Sequence, residues 1–320
     1  MDNNLGWDLD LGWINSVSIN AWCLYDSERD AWEECYKLNG IYKAAWLLKA
    51  VSCLDLTTLS GDDTWSNVNR LTIKAVNPIP SKILSALEFP QKTFTTAAVC
   101  VYPSRVTDAV STLKKLSLVE EFPVAAVSTG FPTGQFCLDS RLLQIEDCLK
   151  NGASEIDVVI DRSLVLTNEW ELLYKELKLM KEKCGSAKMK TILAVGELGN
   201  FRNVYKASLV AMMAGSDFIK TSTGKETINA TFPLGTVMMR AIREYYTKTN
   251  YKVGFKAAGG IKTSNDALNW LALAKKELGV KWLDKSLFRI GASGLLQDIE
   301  KELYCLTFNM VPSLNEFTLP

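Results

Sequence analysis

The 320-residue chain contains no histidine. That absence removes the imidazole of Ser-His-Asp and Cys-His sites and the commonest metal ligand, so proton transfer falls to Lys, Asp, Glu, Tyr or Cys. Net charge is missing too: 36 basic and 36 acidic residues cancel, leaving no overall field to draw in nucleic acid or an anionic membrane. No apolar segment runs uninterrupted to membrane-spanning length. The first residues, MDNNLGWDLDLGW, lack the basic and apolar regions of a signal peptide. The eight cysteines form no CxxC pair and no short secreted-type framework, which reads as reduced thiols. These absences together predict a soluble, cytoplasmic protein whose partner is a small molecule, with neither nucleic acid nor membrane among its ligands.

A Gly/Pro/Ser-rich linker is also lacking, so nothing divides the chain from about residue 43 onward. Over that stretch short apolar runs ending in Gly, Ser, Thr or Pro alternate with longer helical patterns, the rhythm of βα units on a parallel sheet. The runs are SCLDLTTL (52–59), FTTAAVCVYP (94–103), PVAAVSTGFP (123–132), EIDVVIDR (155–162), KTILAVGELG (190–199), DFIKTSTG (217–224), KVGFKAAGG (252–260) and LFRIGASG (287–294). Amphipathic segments lie between them: GDDTWSNVNRLTIKAV beginning after Asp62 and Asp63, NEWELLYKELKLMKEKCG, and TSNDALNWLALAKKELG with Gly279 as its stop. Eight such repeats of roughly 30 residues fit a (β/α)8 TIM barrel better than a doubly wound sheet. Residues 1–40 hold Trp7, Trp13, Trp22 and Trp32 without a clean period and are expected to pack on the barrel as an N-terminal extension. The expected division is 1–40 extension, 41–306 barrel and 307–320 tail.

Chemistry in such barrels sits at the C-terminal ends of the strands. That rule selects Asp55, Cys100, Asp157, Glu197, Lys220, Lys256 and the glycine-rich ends of the last two strands. Lys220 and Lys256 fall on presumed neighbouring strands about 5 Å apart. Two ammonium groups that close in a poorly solvated pocket disfavour protonation, so one of the two is expected to titrate well below the ordinary lysine value. Bringing a lysine from about 10.4 to about 7–8 takes about 4 kcal/mol, which desolvation and one neighbouring cation can supply. The alternative is two lysines that simply snorkel from strand ends.

Asp157 is a carboxylate inside the apolar run EIDVVID, and if buried it must be paired. Lys220 or Lys256 is the obvious partner, and the pair could shuttle protons or be purely structural. Asp55 in LDLTTL shows the same pattern and is read as an orienting residue. AAGG (257–260) and GASG (291–294) stand where barrels often hold phosphate, although tight turns need glycine too. TSTGKET is not a phosphate-binding Walker loop, because Ile219 replaces its first glycine and Glu226 the residue after its lysine. NAT at 229–231 is a glycosylation sequon only in a secreted chain. Cys100 can be read as plain core.

Taken together, DLTTL, AVCVYP, GFPTG, EIDVVI, DFIKTSTGK, NAT, GFKAAGG and FRIGAS, in this order over about residues 43–305, resemble the deoxyribose-phosphate aldolases, class I aldolases built on a (β/α)8 barrel. The long N-terminal extension is similar to that of eukaryotic-type members. The resemblance implies that Lys220 forms a Schiff base, that Lys256 is the second lysine, and that Asp157 is the proton-relay partner. It implies that Lys225 and the backbone at Gly259, Gly260, Gly291, Ala292 and Ser293 meet the substrate phosphate, and that Asp55, Thr57, Cys100 and Thr223 line the pocket. It implies no cofactor and no metal, a sugar-phosphate substrate, and leaves room for a homo-oligomer.

Three positions depart from the family pattern. Ala257 replaces a proline beside Lys256, Gly294 stands where a hydroxyl residue is common, and the tail reads VPSLNEFTLP rather than ending in a tyrosine. Proton delivery is therefore expected to rest on Asp157, Lys256 and water. Two other readings remain open on sequence alone: a Schiff-base aldolase with a ketone donor, and a catalytically silent barrel that binds sugar phosphate or a protein partner through the tryptophan-rich extension.

Overall fold

The computed structural model describes residues 4–89, 94–313 and 316–317. Eight strands pair in chain order, all parallel: β1 (Leu54–Thr57), β2 (Ala98–Val101), β3 (Val124–Ser128), β4 (Glu155–Val159), β5 (Lys188–Ile192), β6 (Phe218–Lys220), β7 (Gly254–Ala258) and β8 (Phe288–Ala292), with β8 closing on β1. Seven lie wholly within the runs expected from sequence, and β5 begins two residues earlier. All are shorter than those runs, because the chain turns into loops as soon as it clears the barrel rim. This is the (β/α)8 TIM barrel.

Strand alternation sorts the side chains. Leu54, Leu56, Val99, Val101, Ile156, Val158, Ile219, Phe255, Phe288 and Ile290 face the helices and belong to one continuous apolar core. The alternate positions face the lumen. On β2 and β3 they are Cys100, Ala125 and Val127, which form a small separate apolar wall. On the remaining strands they include Asp55, Glu155, Asp157, Lys190, Lys220, Lys256 and Arg289, all buried.

The helices close as their sequences suggest. Ser264–Leu278 opens on a reciprocal cap, the Thr263 hydroxyl accepting the Asp266 N–H and the Asp266 carboxylate accepting that of Thr263, and it stops at Gly279. The helix Trp65–Val76 starts later than its aspartates imply. Thr64 is its N-cap, while Asp63 is engaged by the Thr58 hydroxyl and the Ser60 N–H.

The extension forms two helices, Leu11–Ser16 and Trp22–Tyr36. Asn4 anchors its start, donating to the carbonyls of Met212 and Ser216, and Trp13 stacks on Tyr245 with ring centroids 6.2 Å apart. The second helix lies against the helices Phe232–Thr249 and Ser264–Leu278 through Leu24, Ser27 and Ala31. Packing through tryptophan was expected, but only Trp13 is buried, while Trp7, Trp22 and Trp32 are exposed. The small side chains Ser27 and Ala31 let this helix approach closely, and its aromatics fall on the outer face. In the tail, Phe317 packs edge-on against Tyr304, about 13 Å along its helix from the barrel mouth. Residues 314–315 and 318–320 of the expected tail, and 1–3 of the extension, lie outside the described residues.

Candidate active site

Lys220 is the last residue of β6 and stands in register with Lys256 on β7. Both side chains turn inward to one carboxylate. Lys220 Nζ donates to Asp157 Oδ2 at 2.8 Å, and Lys256 Nζ donates to the same oxygen at 2.8 Å. Lys256 also reaches Asp55 Oδ2 at 2.5 Å. The other oxygen of Asp157 accepts from Lys190 Nζ at 2.8 Å, and Lys190 lies 2.6 Å from Glu155. Arg289 completes the cluster, donating to Asp55 Oδ1 at 2.5 Å and to Glu155 at 2.9 Å. Gly291 leaves room for Lys256, since a Cβ there would come within 3.1 Å of Lys256 Cε.

Fully ionised, the cluster holds four cations (Lys190, Lys220, Lys256, Arg289) against three carboxylates (Asp55, Glu155, Asp157), one positive charge in excess. Buried charges persist only when paired and hydrogen-bonded. Burial alone would push the Asp157 carboxyl up, but Lys190, Lys220 and Lys256 outweigh it and hold it well below the usual carboxylate range. Asp55 is held low against the same burial effect by Arg289, Lys256 and Lys190, and Glu155 by Arg289 and Lys190. Burial would lower Lys256, yet Asp157 and Asp55 together raise it above the ordinary lysine value. The expectation of a depressed lysine therefore does not apply to Lys256, which is fixed as an ammonium between two carboxylates. Lys220 is the least compensated cation, bonded to one oxygen that it shares with Lys256.

Above the cluster, at the C-terminal ends of the strands, opens a cleft of about 360 Å³. Thr57, Lys220, Thr223 and Lys225 line one part of it, and Gly259, Gly260, Gly291, Ala292 and Ser293 another. Lys220 is the one member of the charged cluster that lines the cleft among the described residues. Asp55, Asp157, Lys256 and Cys100 lie beneath, fully buried. Clefts of about 450 and 580 Å³ occur elsewhere, and neither is lined by a lysine paired in this way. Lys225 Nζ donates to the Leu59 carbonyl at 3.0 Å, which holds it over the mouth. The helix Leu295–Phe308 begins beside Gly294, so its first N–H groups lie next to the glycine turn, where anions are favoured.

Several expectations need correction. Asp55 does not line the cleft; it is an ion partner beneath Lys256 and Arg289. Cys100 also stays below, its sulfur 4.0 Å from Asp157 Oδ2, and burial pushes its thiol up so that it remains protonated. Glu197 sits on an outer turn, half exposed and 2.7 Å from Arg162, apart from the lysines. Ala257 faces the helices, so the missing proline acts on the outer side of β7 while Lys256 keeps its contacts. Gly294 contributes no side-chain cap. Lys190, Glu155 and Arg289 were not foreseen. Arg289, between Phe288 and Ile290, carries the signal that marked Asp157, whereas Lys190 and Glu155 each have one polar neighbour, Thr191 and Ser154.

A family model for the DeoC/LacD family aldolases matches residues 49–299. The chain belongs to the DeoC/LacD aldolase family. The deoxyribose-phosphate aldolase of Mus musculus is 58% identical over 300 residues, 93% of each chain. That of Homo sapiens is 56% identical over 303 residues, 94% of each. Among solved structures, a Toxoplasma gondii chain superposes with a TM-score of 0.70 at 24% identity, over 84% of this chain and 97% of its own. An Aeropyrum pernix deoxyribose phosphate aldolase gives 0.57 at 23%, over 82% and 93%. At those identities the likeness speaks for the fold, and the sequence relatives carry the family.

Proposed function

We infer that the chain is a lyase of this family, a deoxyribose-phosphate aldolase that reversibly cleaves 2-deoxy-D-ribose 5-phosphate to D-glyceraldehyde 3-phosphate and acetaldehyde. The observation that carries the mechanism is that Lys220, among the described residues the one lysine of the charged cluster that faces the cleft, is hydrogen-bonded to the carboxylate oxygen that it shares with the second lysine, Lys256. The amine form of a lysine so placed is a nucleophile.

In this reading Lys220 Nζ attacks C1 of the open-chain sugar. Lys256, an ammonium at rest, gives a proton to the carbinolamine hydroxyl as it leaves as water and is left neutral. The iminium that forms keeps the positive charge where the Lys220 ammonium had it, beside ionised Asp157, so the surroundings are already arranged for it. The C3 hydroxyl then loses its proton, through water in the cleft, to neutral Lys256 beside Asp157, and the C2–C3 bond breaks. The bond's electrons pass through the iminium to give an enamine, and glyceraldehyde 3-phosphate departs. Protonation of the enamine at C2 and hydrolysis free acetaldehyde and Lys220. Lys225 and the backbone at Gly259, Gly260, Gly291, Ala292 and Ser293 are assigned to the phosphate, and Thr57 and Thr223 to the sugar. The chemistry calls for no cofactor.

The division into extension (1–40), barrel (41–306) and tail (307–320) goes with this reading, supported by the position of the first two helices outside the barrel wall. So does a cytoplasmic location, and no described helix is long and apolar enough to cross a membrane. A homo-oligomer is proposed by analogy with the Aeropyrum pernix enzyme, which is a tetramer.

Borohydride reduction in the presence of acetaldehyde, followed by peptide mass mapping, tests the assignment. An ethyl group on Lys220 is expected. A folded protein that binds the sugar phosphate yet forms no adduct overturns the Schiff-base reading.

A further inference from the structure

Glu226 follows the Thr223-Gly224-Lys225 turn at the end of β6, and its side chain is almost wholly buried at 1% exposure. Its carboxylate folds back onto the turn that precedes it. The Thr223 N–H donates to both oxygens, at 3.0 and 3.1 Å, and the Gly224 N–H to Oε2 at 3.1 Å. Gly224 has φ +87°, so the two successive N–H groups converge in the kind of backbone concavity that takes an anion. Here the anion is the chain's own.

Two further contacts extend its reach. Arg162, the first residue of the short helix Arg162–Leu166 after β4, lies 3.6 Å from Glu226 and is itself held by Glu197 and by the carbonyls of Pro132 and Thr133. The Glu226 carbonyl accepts from Asn229 Nδ2 at 2.7 Å, and the Asn229 side chain packs against the backbone of Gly259, where a Cβ would come within 2.6 Å of it. The carboxylate thus fixes the turn that carries Lys225 from within, and the main-chain carbonyl of the same residue links that turn, through Asn229, to the one that carries Gly259 and Gly260.

We propose that Glu226 is a positioning residue for phosphate recognition: an internal carboxylate that fills the Thr223–Gly224 concavity and so sets the conformation in which the turn bearing Lys225 stands beside the phosphate-facing turn at Gly259 and Gly260. This rests on the aldolase reading above. It assigns substrate preference to a side chain that never touches substrate. With its own concavity occupied, the β6 turn presents Lys225 to the phosphate and withholds its backbone N–H groups from it. The lysines of the charged cluster are braced separately by their carboxylates, so losing Glu226 should loosen substrate binding more than the chemical step.

The test compares Glu226→Ala and Glu226→Gln with the unaltered chain on 2-deoxyribose 5-phosphate and on unphosphorylated 2-deoxyribose. For Glu226→Ala, KM for the phosphate ester is expected to rise about tenfold or more while kcat falls less than about threefold. Preference for the phosphorylated sugar should shrink by about the same factor as KM rises. Glu226→Gln, which keeps the shape and one acceptor, should fall between, and added acetate should partly restore the alanine variant. Equal losses on both sugars, in protein that melts normally, would mean a general structural role and overturn the proposal, as would unchanged kinetics. An unaltered chain that cleaves neither sugar would instead overturn the aldolase reading on which the proposal stands.

Discussion

Lys190 and Asp157 are joined at 2.8 Å deep in the barrel, on the carboxylate oxygen that the two lysines above do not use. Asp157 is thereby bonded through both oxygens and cannot rotate without breaking an ion pair. This fixes the direction in which it faces Lys220. It also places a third ammonium under the pair, part of the cluster's excess of positive charge.

Removal of that third cation should therefore be felt at the mouth. In Lys190→Met the cluster would hold three cations and three carboxylates, and a protonated Lys220 would complete the balance. The acid limb of the kcat/KM profile is expected to move up by about one pH unit. Stability should drop as well, by about 3–5 kcal/mol, because Glu155 and Asp157 lose a buried partner. A variant with normal melting and an unshifted profile would show that Lys190 has no bearing on the nucleophile.

Lys220→Ala should lower cleavage at least about a thousandfold with little loss of fold, since it leaves Asp157 still paired with Lys190 and Lys256. Circular dichroism and activity measured on the same sample check this. Substantial turnover in the variant would remove Lys220 from the mechanism.

The buried charges make a definite statement about pH. The carboxyls of Asp55, Glu155 and Asp157 are lower in the folded chain than in the unfolded one. Their contribution to stability is present above about pH 4 and is lost as pH falls toward their folded values. Burial lowers Lys190, but Asp157 and Glu155 more than restore it, and Lys256 is raised likewise. Their contribution is present below about pH 10.4 and is lost as pH rises above it. With no histidine in the chain, melting temperature should stay nearly flat between about pH 5 and 9. A steep transition near neutrality in a melting series would contradict this.

Dialysis against EDTA should leave activity intact, because the proposed electron sink is the iminium on Lys220. Loss of activity that a divalent metal restores would argue for a different class of aldolase.

Much of this was legible in the sequence, for a physical reason. A charged residue inside an apolar run must be paired if the run is buried, and Lys220, Lys256 and Asp157 stood out on that ground. Arg289 carries the same mark but lies inside a glycine motif, while Lys190 and Glu155 stand at the starts of their runs, where they look like strand ends. Pairing in the lumen depends on which strand ends face which, and that is set by the closure of the barrel. Glu226 was noticed only as the residue that spoils a Walker loop. Its contact with the turn before it is a matter of backbone conformation at Gly224, which composition does not reveal. The helix Trp22–Tyr36 was missed because its buried positions are Leu24, Ser27 and Ala31, too small and too mixed to stand out as a stripe.

The members of the charged cluster come from six strands, from Asp55 on β1 to Arg289 on β8. During synthesis, Asp55 waits through more than two-thirds of the chain for Arg289, the second of its two close cationic partners. A nascent barrel lacking its last strand would leave Asp55 and Glu155 each without one of its two close buried partners, so an open, partly wound intermediate gains less by compacting. The same side chains that would perform the chemistry therefore make closure an all-or-none event, and fragments ending before β8 should be neither stable nor reactive.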